Sequence, residues 1–284
     1  MKILLTGATG QVGWELQRAL LPLGQVIAPG RDIFDLAEPD KMVNFIRELK
    51  PDGIVNPGAY TAVDLAETEP DRAHQVNAVA PGILAEEAQR LGAWFIHYST
   101  DYVFDGQSST PYLPDDRTNP LGVYGKSKRA GELAIGLVGS NYLILRTAWV
   151  YGMRGKNFLR TILRLARERQ ELKIVCDQTG SPTWSRLIAE VTAQIVPQIK
   201  GIQGIFHLTA AGSTTWYDFA QAILRLDPDR GQQIVQTVSP IPTAEYPTPA
   251  RRPSYSVLDC NSLVTQFNLY LPNWQETLAL AMAT

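Results

Sequence analysis

The amino-acid sequence predicts an α/β fold, a Rossmann-type doubly wound parallel sheet with a smaller C-terminal α/β lobe. Three observations lead there. Short aliphatic or β-branched runs alternate with helical patterns through the first half of the chain. A glycine-rich turn follows the first of these runs directly, and the sequence changes character after about residue 150.

The candidate strands of the sheet are 3–6, 26–28, 53–56, 94–98 and 143–146, with 205–208 as a later member. Between them, helical periodicity covers 12–21, 39–49, 70–90 and 124–137, lengths that suit right-handed crossovers between parallel strands. Beyond these, Phe158, Ile162 and Leu165 recur at i, i+4 and i+7 and mark a basic amphipathic helix. A short strand over 172–175 follows, then helices near 184–197, 216–226 and 274–281. The segment 239–253 holds five prolines, which excludes a regular helix or a central strand and favours an ordered loop capping a cleft. The expected division is a Rossmann domain of residues 1–150 plus a returning segment of about 183–210. Residues 151–182 and 211–284 would then form the second lobe.

Bulk properties narrow the function. A net charge of −2 and a pI near 6.0 supply no field for nucleic acid or an anionic membrane, so any anionic ligand must be met by locally placed groups. The first apolar run is too short for a signal peptide, and no segment approaches the roughly 18 apolar residues of a membrane span, so a cytoplasmic protein is expected. Cys176 and Cys260 lack metal-like or CxxC spacing and read as buried small hydrophobes in a reducing compartment.

Gly7-Ala8-Thr9-Gly10-Gln11-Val12-Gly13 ends the first strand and opens a helix. Glycines there permit a tight turn and close backbone approach to a pyrophosphate, which meets the unpaired N–H groups of the helix N-terminus. The spacing is GxxGxxG, and its placement between strand and helix points to a dinucleotide. Discrimination between cofactors belongs at the end of the second strand, Gly30-Arg31-Asp32-Ile33-Phe34-Asp35-Leu36. An acid there favours the free ribose of NADH and an arginine the 2′-phosphate of NADPH. Both are present; Arg31 tilts the reading towards NADPH, with Asp35 and Leu36 lining the adenine.

Tyr124 and Lys128 lie four apart at a predicted helix start, on one face of that helix. An ammonium beside a tyrosine stabilises its phenolate and fits the phenol for proton transfer. The fourth strand ends in Ser99-Thr100-Asp101, at the carboxyl edge where such sheets bind ligands, so a hydroxyl there can meet a substrate carbonyl. His74, His97 and His207 have no partner spacing and read as structural.

Together these residues resemble the extended short-chain dehydrogenases/reductases, and among them the dTDP-4-dehydrorhamnose reductases. The resemblance runs through GATGQVGWELQRAL at 7–20, VNPGAYTAVDLAE at 55–67, IHYSTDYVFDG at 96–106, the YGKSK helix, RTAWVYG at 146–152 and YPTPARRPSYSVLD at 246–259. It implies an NADPH- or NADH-dependent reduction of a dTDP-linked 4-keto-6-deoxyhexose, by a monomer or homodimer whose second lobe holds the substrate. By resemblance Gly10, Gln11 and Val12 meet the pyrophosphate, Asp35 and Leu36 the adenine, and Ala59, Tyr60 and Thr61 the nicotinamide side. Thr100, Tyr124 and Lys128 take the catalytic positions and Asp101 and Trp149 the sugar-nucleotide contacts, while Arg251 and Arg252 suit a diphosphate. Some members bind Mg²⁺ at a dimer contact, for which Glu15 and Glu190 are the candidates. Tyr60 stands where some members have His, and Gly30-Arg31 where some have an acid.

Three alternatives follow. Related 4,6-dehydratases place an Asp-Glu pair after the threonine, where this chain has Asp101-Tyr102, so the base for elimination is missing. A 4-epimerase would retain and regenerate its NAD. A non-catalytic regulatory subunit, like the β subunit of methionine adenosyltransferase, would share the fold, but Thr100, Tyr124 and Lys128 are all intact.

Overall fold

The computed structural model describes residues 1–139 and 141–283. In chain order the elements begin β1 (Lys2–Leu5), α1 (Gln11–Ala19), β2 (Gln25–Ile27), α2 (Pro39–Leu49), β3 (Gly53–Asn56), α3 (Val63–Ala66), α4 (Pro70–His74) and α5 (Ala80–Leu91). They continue with β4 (Trp94–Thr100), α6 (Val123–Val138), β5 (Tyr142–Thr147), β6 (Val150–Tyr151), α7 (Phe158–Glu168), β7 (Glu171–Val175), β8 (Thr179–Gly180) and β9 (Thr183–Trp184). The last are α8 (Ser185–Ile195), β10 (Gly204–His207), β11 (Thr214–Thr215), α9 (Trp216–Leu226), β12 (Thr237–Ile241), α10 (Asn261–Phe267) and α11 (Trp274–Met282).

Six strands form one parallel sheet in the order β10-β5-β4-β3-β1-β2. Strand alternation divides its apolar residues between two faces. Ile3, Leu5, Val55, Ile96, Leu143 and Leu145 share a core with Leu16 of α1 and Ile188 of α8. Leu4, Ile54, Phe95 and Ile144 point the other way and pack with Met42 of α2 and Leu84 of α5. Each such fully buried aliphatic side chain contributes roughly 1.5–3 kcal/mol relative to exposure, which is why the strands read as near-continuous apolar runs. Helices therefore cover both faces, as the sequence pattern requires.

The remaining strands make short pairs, β6 with β9, β7 with β12 and β8 with β11. Pro240 lies within β12, opposite Ile174. A proline is tolerated because this pair has no third strand on that side to receive its missing N–H. The rest of the proline-rich segment is ordered: Ala250 N–H and Arg252 Nη2 both donate to the Asp64 carboxylate, and Ser254 Oγ donates to Gly106 O.

Two expectations are corrected. The helix expected over 70–90 is divided, with a π-helical turn at Gln75–Val79 between α4 and α5. Pro81 lacks the N–H that would bond Asn77 O four residues back, and the freed carbonyl points at Gly131 of α6. A Cβ at Gly131 would stand 2.1 Å from that oxygen. Neither cysteine is fully buried: both are intermediate in exposure. Cys260 also takes part in polar contacts, with its Sγ 3.4 Å from both Thr209 N and Oγ1.

Candidate active site

A cleft of about 840 Å³ opens along the carboxyl ends of the sheet strands. Its wall begins with the glycine turn. Gly7 has φ 55°, and a Cβ on it would stand 2.6 Å from Gly58 Cα; a Cβ on Gly13 would stand 2.2 Å from Gly7 O. Only glycine lets strand, turn and helix close up in this way. Gly10 precedes α1 in extended conformation without a side-chain cap, so the first N–H groups of the helix are available to a phosphate. The cradle fits a dinucleotide. Asn157, at the start of α7, donates to Gln11 Oε1 at 2.7 Å and ties the second half of the chain to this turn.

Arg31, Asp35 and Leu36 line the same cleft. Arg31 Nε lies 3.0 Å from Asp35 Oδ2, so the two residues that pulled the cofactor reading in opposite directions form one ion pair. Burial raises the Asp35 pKa, but hydrogen bonds from Ala37 N–H and Arg31 outweigh it and hold the carboxyl below its ordinary range. Ala59, Tyr60 and Thr61 follow β3 and also line the cleft, with Tyr60 Oη donating to Glu69 at 3.0 Å.

Thr100, Asp101, Tyr124 and Lys128 converge where β4 ends and α6 begins. Thr100 Oγ1 donates to Asp101 Oδ1 at 3.0 Å and accepts from Tyr102 N–H at 3.3 Å, and its hydroxyl lines the cleft with the Tyr124 phenol. Burial pushes Tyr124 up to about 12, with the nearby Thr100 hydroxyl pulling down and the Asp101 charge pushing up. Burial likewise raises Asp101 to about 6, opposed by the Ser256 and Thr100 hydroxyls. Lys128 is lowered to about 7, again by burial and against the charge of Glu132. Its Nζ donates to Tyr98 O at 2.6 Å and lies 3.0 Å from His97 Nε2. The lysine is thus engaged with β4, and the groups that move the phenol are Thr100 and Asp101. One turn further along α6, Glu132 makes a fully buried bidentate pair with Arg146 of β5, both N···O distances being 2.8 Å.

Trp149 adopts φ 46°, a left-handed backbone uncommon for a bulky residue. Its indole stacks on Trp216 of α9, ring centroids 3.4 Å apart and planes 4° from parallel. Both indoles line the cleft. Trp216 was not anticipated; it lies 67 residues from Trp149, and no spacing rule links them. His97 and Asn56 were missed for the same reason.

Four predicted residues lie outside the lining of the cleft. Arg252 is half-buried and ion-paired with Asp64 at 2.9 Å, and Arg251 is exposed beside it. Glu190 is paired with Arg186 at 2.7 Å, and Glu15 faces a separate, smaller cleft with Arg154, Arg160 and Arg186. Among the described residues no group of three His, Cys, Asp or Glu side chains could hold a metal. Nor is any helix among them long and apolar enough to cross a membrane.

A glycine cradle at the first crossover, with a tyrosine and lysine one helical turn apart at the end of the fourth strand, defines a Rossmann-type, nicotinamide-dependent oxidoreductase. The family model described as "RmlD substrate binding domain" matches residues 1–284, and the chain belongs to that family. It is 48% identical to the dTDP-4-dehydrorhamnose reductase of Burkholderia thailandensis, over 99% of this chain and 98% of that protein. The crystal structure of a dTDP-4-dehydrorhamnose reductase from Clostridium acetobutylicum superposes with a TM-score of 0.92 at 39% identity, covering 100% of this chain and 99% of that one. The enzyme of the same name from Bacillus anthracis, solved in complex with NADP, gives 0.91 at 34% identity, covering 99% and 98%.

Proposed function

We infer that this chain reduces the 4-keto group of dTDP-4-dehydro-6-deoxy-L-mannose (dTDP-4-dehydrorhamnose) with NAD(P)H, giving dTDP-L-rhamnose. The observation that carries the reading is one continuous cleft, holding Thr100, Tyr124 and Lys128 beside the glycine turn, in a member of this family. When bound, the reduced nicotinamide supplies the hydride. Tyr124 gives its phenolic proton to the developing C4 alkoxide, a role suited to a group that burial keeps protonated at neutral pH. Thr100 would orient the phenol and, by turning its hydroxyl from Asp101, stabilise its anion. Lys128, when charged, lowers the cost of the phenolate and holds the nicotinamide ribose.

Gly7, Gly10, Gln11 and Val12 would cradle the pyrophosphate. Asp35 and Leu36 would line the adenine, with Ala59, Tyr60 and Thr61 on the nicotinamide side. Arg31 at the exposed mouth favours the 2′-phosphate of NADPH. Asp101 and Trp149 would meet the sugar nucleotide. Arg251 would meet its diphosphate, while Arg252 secures the loop by clamping Asp64. Residues 1–150 with about 183–210 act as the dinucleotide domain and the rest as the substrate lobe. In support, all six strands of the main sheet lie within Lys2–His207. Tyr102 supports reduction over elimination: burial raises its phenol, so it cannot stand in for a catalytic base. We place its action in the cytoplasm as part of the same proposal.

The test follows the absorbance of NADPH, and separately of NADH, with dTDP-4-dehydrorhamnose, with and without Mg²⁺. Net oxidation with formation of dTDP-L-rhamnose is expected. No oxidation of either cofactor, together with stoichiometric co-purification of a second enzyme, would instead establish the regulatory-subunit reading.

A further inference from the structure

A line of buried polar side chains runs from the glycine turn to the lysine of the cleft. Gly58 N–H donates to Thr6 Oγ1 at 3.2 Å, and Thr6 Oγ1 donates to Asn56 Oδ1 at 2.5 Å. Asn56 Nδ2 lies 2.9 Å from His97 Nδ1, and His97 Nε2 lies 3.0 Å from Lys128 Nζ. Thr6, Asn56, His97 and Lys128 are all buried, and they come from β1, β3, β4 and α6 or the residue next to each. None of the chemistry proposed above uses the first three.

The donor and acceptor inventory ties the charge of one end to the polarity of the rest. An amide nitrogen only donates, so in this arrangement His97 Nδ1 accepts and the ring carries its proton on Nε2. That N–H faces Lys128 Nζ, where only a neutral amine can accept. With the Asn56 amide turned over, the side-chain links reverse while Gly58 N–H still donates to Thr6 Oγ1: Nδ1–H donates to Asn56 Oδ1, Nε2 accepts from the Lys128 ammonium, and Asn56 Nδ2 donates to Thr6 Oγ1. Both arrangements use the same heavy-atom contacts. They differ by one proton, which Lys128 takes from solvent.

We propose that His97, oriented by Asn56 and Thr6, is a positioning residue for Lys128. The His97 tautomer and the Asn56 amide orientation switch together as Lys128 gains or loses its proton. The surroundings suit such a switch. Burial lowers Lys128 to about 7, and burial with the Lys128 charge keeps His97 well below its ordinary value, so the ring stays neutral in both arrangements. The other charged or titratable groups about the lysine are Glu132, neutralised by Arg146 and Arg129, and Tyr124 with Asp101 across the cleft. Phe95 is the ring beside His97. At its far end the line abuts Gly58 and Gly7, both in the wall of the cleft.

The proposal rests on the catalytic reading only for its significance, because its test needs no substrate. The chain has three histidines, so the ring nitrogens of ¹⁵N-histidine-labelled, ligand-free protein can be followed individually by NMR. Between about pH 5 and about pH 9, His97 should change from the Nδ1–H to the Nε2–H tautomer, with no imidazolium, at the midpoint of Lys128. Lys128→Met should leave one tautomer throughout. Asn56→Asp, whose carboxylate only accepts, should hold the Nδ1–H form and move the midpoint at least tenfold in proton concentration to the alkaline side. A single tautomer in the wild-type protein, or an ordinary imidazolium titration, overturns the proposal whatever the reductase assay returns. So does an unmoved midpoint in a folded Asn56→Asp variant.

Discussion

Replacing Tyr124 by Phe removes one hydroxyl and little else. The ring keeps its edge-to-face contact with Tyr102, centroids 5.7 Å apart at 75°. Thr100 Oγ1 keeps its bond to Asp101 at 3.0 Å and its acceptance of Tyr102 N–H at 3.3 Å, so no buried partner is orphaned. Stability should therefore change by less than about 1 kcal/mol. The effect on rate is larger. A positioned general acid contributes roughly 10²- to 10⁴-fold, or about 2.7–5.5 kcal/mol at about 1.4 kcal/mol per decade. The upper half of that range is expected, because the phenol is buried in the cleft and Lys128, held by Tyr98 O and His97, is not set to replace it. The assay is single-turnover oxidation of NADPH with dTDP-4-dehydrorhamnose, alongside cofactor affinity from nicotinamide fluorescence. A rate constant within tenfold of wild type would refute the role of Tyr124. A loss matched by an equal loss of cofactor affinity would refute the separation of binding from proton transfer.

Glu132→Ala leaves Arg146 as an uncompensated buried charge and should cost about 3–5 kcal/mol in urea unfolding; a cost under about 1 kcal/mol would show the pair to be dispensable. Lys128 is lowered in the folded chain to about 7 from 10.5, so between those values the unfolded chain binds the extra proton and stability rises with pH. Relative to Lys128→Met, the unfolding free energy of wild type should climb through that window, by at most about 1.4 kcal/mol per pH unit, and level off below it. Arg31→Ala should lower kcat/KM for NADPH roughly fivefold while leaving NADH nearly unchanged, a modest figure because the guanidinium is two-thirds exposed. Equal losses with both cofactors would remove Arg31 from 2′-phosphate recognition.

The parts of the site that were readable in the sequence are those whose geometry is local. A glycine turn between strand and helix, a tyrosine and lysine one helical turn apart, and polar residues at the end of a strand each depend on a few neighbouring φ/ψ angles. Their place in the cleft follows once the sheet is parallel. The division of the helix expected over 70–90 was less accessible. Pro81 inside the pattern was a visible warning, but whether the freed Asn77 carbonyl could be housed depended on Gly131, on a different helix.

The sequence by itself therefore determined the fold class and the glycine turn, and singled out Thr100, Tyr124 and Lys128 as the reacting set proposed above. Tertiary structure decided what each of these residues touches. It paired Arg31 with Asp35, drew Arg252 away to Asp64, stacked Trp149 on Trp216 and buried Lys128 against His97. The reason is physical. Periodicity and turn chemistry act over a few residues, whereas these contacts join positions brought together by the crossing of strands and helices. The charge state of a buried lysine is a property of that assembly.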